Sequence, residues 1–304
     1  MSEPVAAWLE RDGVRIRYLD WAPDQGAARA PAILLLHGLS SNAHYWDRVA
    51  RHLGTRRVVA LDQRGHGWTG RPPQAPPIPD GYAVESLLDD ASLLIADLQL
   101  GRPVIVGHSW GAGVALELAA TRPELASGLV FIDGPVQSPA QLFNWEEAQR
   151  LMQPPLPRFS SIAEAIEESR RDFGEAWDSD LEPFVADRVM ADGEALVLTL
   201  TAPVRLELLR GLYDSRPETL WPLLKVPSIA LLALRSFARI SRSTDRGVAT
   251  LGEIAPRVEV KWFDTPHDIP LYMPAEVAAE IESVASLAGA GLASEAPAGQ
   301  KPQD

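Results

Sequence analysis

Val104-Ile105-Val106-Gly107-His108-Ser109-Trp110-Gly111-Ala112-Gly113 decides the fold. Apolar residues run into Gly-x-Ser-x-Gly, and Val114-Ala115-Leu116-Glu117-Leu118-Ala119-Ala120 continues as a helix. A buried strand, a sharp turn bearing Ser109 and a helix form the setting in which this pentapeptide presents a serine as nucleophile. The glycines have a mechanical reason to be there. The turn strains the serine backbone, and Gly107 and Gly111 carry no Cβ to collide across it.

Upstream, residues 5–21 read as a hairpin turning at Arg11-Asp12-Gly13. Ala32-Ile33-Leu34-Leu35-Leu36 is an uninterrupted apolar run, as a parallel strand covered on both faces requires, and it ends in His37-Gly38-Leu39. Residues 57–61 form the next strand and close in Asp62-Gln63-Arg64-Gly65-His66-Gly67. The proline-dense stretch 71–79 excludes regular structure, and residues 84–100 have helical spacing. Downstream, Leu129-Val130-Phe131-Ile132 is another buried strand, ending at Asp133.

The rhythm then changes. Residues 136–221 show no strand-like run, only helical segments at 145–152, 162–173 and 181–190. Strands return at 226–232 and 258–263; His267 lies in the loop after the second, and a last helix spans 275–287. Alternating strands and helices predict a mostly parallel, doubly wound α/β sheet, with its ligand site outside the carboxyl ends of the strands. Ser109, Asp133, His267 and the His37-Gly38-Leu39 turn all fall just after predicted strands.

Composition narrows the partners. The 304 residues carry 28 Lys+Arg against 41 Asp+Glu, a net charge of −13, which argues against nucleic acid and anionic membrane surfaces. With no cysteine, disulfides, thiol catalysis and thiolate metal sites are excluded. No phosphate-cradling loop or metal-ligand cluster is apparent, so no cofactor is expected. Residues 1–10 lack a signal-peptide pattern and no apolar run reaches membrane-spanning length, which makes a cytoplasmic location the expectation.

A serine hydroxyl needs a base within hydrogen-bond reach. Of the six histidines, His37 and His66 belong to loop motifs and read as braces. His44 and His52 carry no functional signal, and His108 reads as packing beside the turn. His267 alone comes late in the chain and directly after a strand.

The order of hairpin, His-Gly turn, Asp-x-Arg-Gly-His-Gly loop, Gly-His-Ser-Trp-Gly turn, helical insertion and late His loop resembles the α/β-hydrolase fold, over nearly the whole chain. The resemblance implies an eight-stranded sheet with helices on both faces and an α-helical cap. The expected division is 1–135 and 222–287 for the core, 136–221 for the cap, and 288–304 for a disordered tail. It also implies His267 as base, with Ser109, acid and His in that order. In the commonest version of the fold the acid follows the strand at 228–233, where Ser236 stands instead and no carboxylate appears before Asp245. A second arrangement, similar to some haloalkane dehalogenases, puts it after the strand that follows the nucleophile's helix, at Asp133. Asp264 and Asp268 remain alternatives, but they flank His267 too closely to orient its far nitrogen. The backbone N–H groups of Leu39 and Trp110 are the expected oxyanion donors.

The nucleophile also selects the chemistry. Dehalogenases and epoxide hydrolases of this fold carry aspartate where Ser109 stands, so a serine points to acyl transfer. The expectation is a cofactor-independent serine esterase or lactonase acting on a small apolar ester. A carbon–carbon bond hydrolase, a perhydrolase and a silent ligand-binding protein are the alternatives, and a homodimer is left open.

Overall fold

The computed structural model describes residues 3–23, 29–70, 81–235 and 238–295. The proline-dense stretch 71–79, the Ser236 position and residues 296–304 of the expected tail lie outside the described residues. The strands are β1 (Val5–Arg11), β2 (Val14–Trp21), β3 (Ile33–Leu36), β4 (Val58–Leu61), β5 (Val104–His108), β6 (Gly128–Ile132), β7 (Arg158–Phe159), β8 (Val189–Asp192), β9 (Ala195–Leu198), β10 (Ser228–Ala233) and β11 (Glu259–Phe263). The helices are α1 (Asp47–Arg51), α2 (Val84–Asp97), α3 (Trp110–Thr121), α4 (Trp145–Met152), α5 (Ile162–Phe173), α6 (Glu182–Ala186), α7 (Ala202–Asp214), α8 (Pro217–Leu220), α9 (Ala238–Ile254), α10 (Ile269–Tyr272) and α11 (Pro274–Glu295).

Eight strands form one sheet in the order β1-β2-β4-β3-β5-β6-β10-β11. The β1–β2 hairpin is antiparallel, as is β2 against β4; every other pairing is parallel. Side-chain alternation explains the two helical layers. Ile33 and Leu35 belong to one buried cluster with Trp46, Val49 and Ile281, whereas Leu34 and Leu36 belong to another with Leu88, Leu94 and Leu118. A period of two sends neighbours to opposite faces, so a strand covered on both sides must be apolar throughout. All four β3 side chains are fully buried, each stabilising the fold by about 1.5–3 kcal/mol.

Between β6 and β10 the chain leaves the sheet. Helices α4 to α8 occur there, but so does a three-stranded sheet in the order β7-β9-β8. This corrects the expectation of an insertion without strands. The segment 181–190 divides into α6 and the start of β8, because β8 and β9 form a hairpin closed by Gly193-Glu194, with Gly193 at φ 64°. The Asp192-Gly193 pair between short apolar runs was the available turn signal. At the other end, α11 runs to Glu295, so residues 288–295 are helical rather than the start of a tail. No helix among the described residues is long and apolar enough to cross a membrane.

Candidate active site

Ser109 occupies the turn between β5 and α3 at φ 53° and ψ −116°, a conformation that costs an L-residue about 1–3 kcal/mol. The turn is held by a 2.8 Å hydrogen bond from Ser109 N–H to the Ile132 carbonyl on β6. Steric necessity explains both flanking glycines. A Cβ on Gly107 would lie 2.4 Å from the Gly111 carbonyl oxygen, and one on Gly111 would lie 2.4 Å from the Leu36 and His37 carbonyl oxygens.

Asp133 follows β6 at φ 47°, which turns its carboxylate toward the ends of β10 and β11. Its Oδ1 accepts the Ala233 N–H at 2.9 Å, and its Oδ2 meets His267 Nδ1 at 2.5 Å. Asp264 does not reach the ring; it is 81% exposed and pairs with Arg235. Asp268 instead accepts a 3.1 Å hydrogen bond from the Tyr45 hydroxyl. Geometry therefore joins His267 to Asp133.

The electrostatics follow from that pairing. Desolvation works to lower the His267 pKa, but the hydrogen bond and charge of Asp133, with Asp268 nearby, outweigh it and hold the imidazole above its ordinary 6.5. Burial would raise Asp133, yet the same hydrogen bond and the Ala233 N–H bring it below the usual carboxylate value. His37 and His108 go the other way: desolvation pushes both down to about 4, and His66 is lowered too. These three are braces. His37 links Gly38 to Gln63, and His66 links Arg64 to Ser40. His108 stacks on Tyr45 and its Nε2 donates to the His267 carbonyl at 3.1 Å, so it steadies the loop that carries His267.

Among the described residues, no hydrogen bond joins the Ser109 hydroxyl to His267, whose side chain is 44% exposed. Such contacts often tighten only when substrate binds. The Gly38 turn abuts the serine: a Cβ at Gly38 would lie 3.4 Å from Ser109 Cβ. Neither Leu39 N–H nor Trp110 N–H donates to another backbone carbonyl among the described residues, and Trp110 is the first residue of α3, where helix N–H groups are free.

One network had no signature in the sequence. Asp187, between α6 and β8, accepts from Arg17 Nη1 at 2.6 Å and Trp68 Nε1 at 2.7 Å, and lies 3.3 Å from His44 Nε2. His44 also meets Asp47 at 2.9 Å. Desolvation opposes its charge, but the Asp187 and Asp47 hydrogen bonds raise its pKa to about 9. The two carboxylates respond differently: burial leaves Asp47 raised, whereas Asp187, with Arg17 and Trp68 also upon it, is lowered. Asp187 thus ties the insertion to the core, whereas Asp47 and His44 both belong to the core.

Comparison with known proteins agrees with the fold. The pattern of the α/β-hydrolase fold matches residues 31–166. The chain has the α/β-hydrolase fold. It is 28% identical over 271 residues to the lipase LipV of Mycobacterium tuberculosis, covering 85% of this chain and 94% of the lipase. Epoxide hydrolase 3 of Mus musculus is 31% identical over 137 residues, covering 45% of this chain and 35% of that protein, so the match spans about a third of its length. In structure, the thioesterase domain from the curacin biosynthetic pathway superposes with a TM-score of 0.75 at 19% identity, over 92% of this chain and 100% of that one, which shows the shared fold.

Proposed function

We propose that this α/β hydrolase is a cofactor-independent serine hydrolase that cleaves a carboxylic ester or lactone through an acyl-enzyme on Ser109. The observation that carries the reading is the 2.5 Å contact between Asp133 Oδ2 and His267 Nδ1 beside a serine at φ 53°. With Nδ1 engaged by the carboxylate, Nε2 is the nitrogen free to act as base.

Ser109 Oγ attacks the acyl carbon while His267 takes its proton. The oxyanion draws on the Leu39 and Trp110 N–H groups, and losing one such donor typically costs about 10²–10³ in rate. The C–O bond breaks and the alcohol departs with the proton from His267. A water molecule, deprotonated by the same imidazole, then attacks the acyl-enzyme and releases the acid. Asp133 holds the tautomer and stabilises the imidazolium. The likeness to a lipase over nearly its full length supports ester chemistry. Serine at the turn counts against the aspartyl-ester chemistry of epoxide opening.

The test is labelling with a fluorophosphonate probe, together with turnover of short p-nitrophenyl esters and lactones. We expect stoichiometric labelling and ester turnover, both abolished in Ser109→Ala. A folded protein that never labels is a binder. One that labels but turns over only diketones is a carbon–carbon bond hydrolase.

A further inference from the structure

Gly38-Leu39-Ser40-Ser41 is a tight turn closed by the Ser41 N–H, which donates to the Gly38 carbonyl at 3.2 Å. The same carbonyl accepts from His37 Nδ1 at 2.8 Å. The Ser40 N–H donates to His66 Nε2 at 3.0 Å. Of the three N–H groups that follow Gly38, those of Ser40 and Ser41 are therefore engaged, and that of Leu39 has no partner among the described residues. The turn lies against the nucleophile, since a Cβ on Gly38 would be 3.4 Å from Ser109 Cβ.

This conformation is strained. Ser40 stands at φ 69° in the third position of the turn, in the left-handed region that ordinarily calls for glycine. A serine remains there only when its surroundings hold it. His66 holds its N–H from the core, and Arg205 on α7 holds its side chain from the insertion, with Nη1 donating to Ser40 Oγ. The guanidinium is itself fixed. Its Nε and Nη2 donate to the Met152 carbonyl at 3.0 and 2.8 Å. Met152 is the last residue of α4, where helix carbonyls lack partners and favour a cation. α7 in turn rests on the core: a Cβ on Gly65 would lie 2.6 Å from the side chain of Val204, the residue before Arg205. A planar fork of donors suits this task, because one group spans two separate acceptors.

We infer that Arg205 is a positioning residue for the oxyanion donor: through Ser40 Oγ it holds the 38–41 turn in the conformation that leaves the Leu39 N–H unengaged beside Ser109. The inference rests on the serine-hydrolase reading. It gives the insertion a part in stabilising the transition state, by way of a side chain that touches neither substrate nor base.

The experiment compares wild type, Arg205→Met, Ser40→Ala and Arg205→Met/Ser40→Gly on p-nitrophenyl butyrate and on its thiono counterpart, in which sulfur replaces the carbonyl oxygen. Losing an oxyanion donor outright costs about 10²–10³ in rate, so a loosened turn should lower kcat about 10–100-fold with KM within about threefold. Sulfur is a weak acceptor, so the preference for the oxo ester should shrink along with kcat. Ser40→Ala cuts the same bond from its other end while Arg205 stays on Met152. It should reproduce the loss, and adding Arg205→Met to it should cost nothing further. Glycine adopts a positive φ without strain, so Arg205→Met/Ser40→Gly should regain most of the lost kcat although the guanidinium is gone. Wild-type kcat in Arg205→Met overturns the inference. So does a loss that Ser40→Gly fails to recover, or one that leaves the oxo preference unaltered, since either would trace the defect to the packing of α4 and α7. If Arg205→Met does not fold, Ser40→Gly should exceed Ser40→Ala about tenfold in kcat, and equality of the two refutes the inference. If no ester is turned over, the ester reading fails, and amide hydrogen exchange at Ser41 judges the clamp by itself. Exchange that quickens in Arg205→Met and slows again with Ser40→Gly sustains it, and unchanged exchange refutes it.

Discussion

Asp133, at the end of β6, takes a hydrogen bond from the Ala233 N–H at the end of β10. The backbone of one strand thus aims a carboxylate carried by its neighbour, and the free oxygen reaches His267. In the commonest version of the fold the acid itself rides after β10. Here that strand end contributes a peptide N–H.

Asp133→Asn tests the proposed role directly. Its amide can still accept from Ala233 but cannot stabilise the imidazolium, so kcat should drop about 10⁴-fold with a melting temperature within a few degrees of wild type. Asp264→Asn, altering an 81% exposed side chain paired to Arg235, should leave kcat within about threefold. Steady-state kinetics beside a melting curve decides between them, and the reverse ranking refutes the assignment.

The pH profile has a defined direction. His267 acts as a base only when neutral, and Asp133 holds its pKa above 6.5. Therefore kcat/KM should rise with pH and level off only above that value. Asp268→Asn removes a smaller raising charge and should move the limb slightly down; in Asp133→Asn the residual activity should show a larger downward shift. A limb that stays in place in both variants contradicts this electrostatic account.

Two glycines only two residues apart should behave in opposite ways. Gly111→Ala drives a Cβ to 2.4 Å from the Leu36 carbonyl oxygen, a rigid backbone atom, so it should destabilise the fold by more than about 2 kcal/mol. A Cβ at Gly113 meets nothing within 4 Å, and alanine inside a helix gains up to about 1 kcal/mol over glycine. Urea denaturation of the two variants measures the contrast.

The clasp around Asp187 should weaken in alkali. His44 has a folded-state pKa of about 9 against an ordinary 6.5, so its contribution to stability is complete below 6.5 and is lost as pH rises through about 9. The gap in melting temperature between wild type and His44→Gln should be widest below pH 6.5 and close above about 9. A gap that widens with pH would exclude the charged pairing.

The sheet was legible because its signal is local. Leu34 and Leu35 face opposite layers, and both must be apolar whatever the rest of the chain does. The serine turn was legible for the same reason, since Gly107 and Gly111 answer a clash within a few residues. The β8–β9 hairpin was missed because four-residue strands hold too few alternations to stand out from helical spacing, although Asp192-Gly193 marked its turn. His44 and Asp187 gave no sign at all. Their pairing joins residues far apart in the chain, and nothing near either one records it.

The placement of Asp133 also bears on how the protein is made. β5, α3 and β6 are consecutive, and β5 pairs directly with β6, so the backbone turns that carry Ser109 and Asp133 lie within one short unit of chain. His267 follows only after the whole insertion, β10 and β11. Because synthesis proceeds from the N-terminus, a nascent chain on the ribosome holds nucleophile and acid without a proton acceptor from residue 133 until residue 267 is added. Under the proposed mechanism it stays inert until the loop after its final strand docks, and any product truncated before residue 267 is inactive.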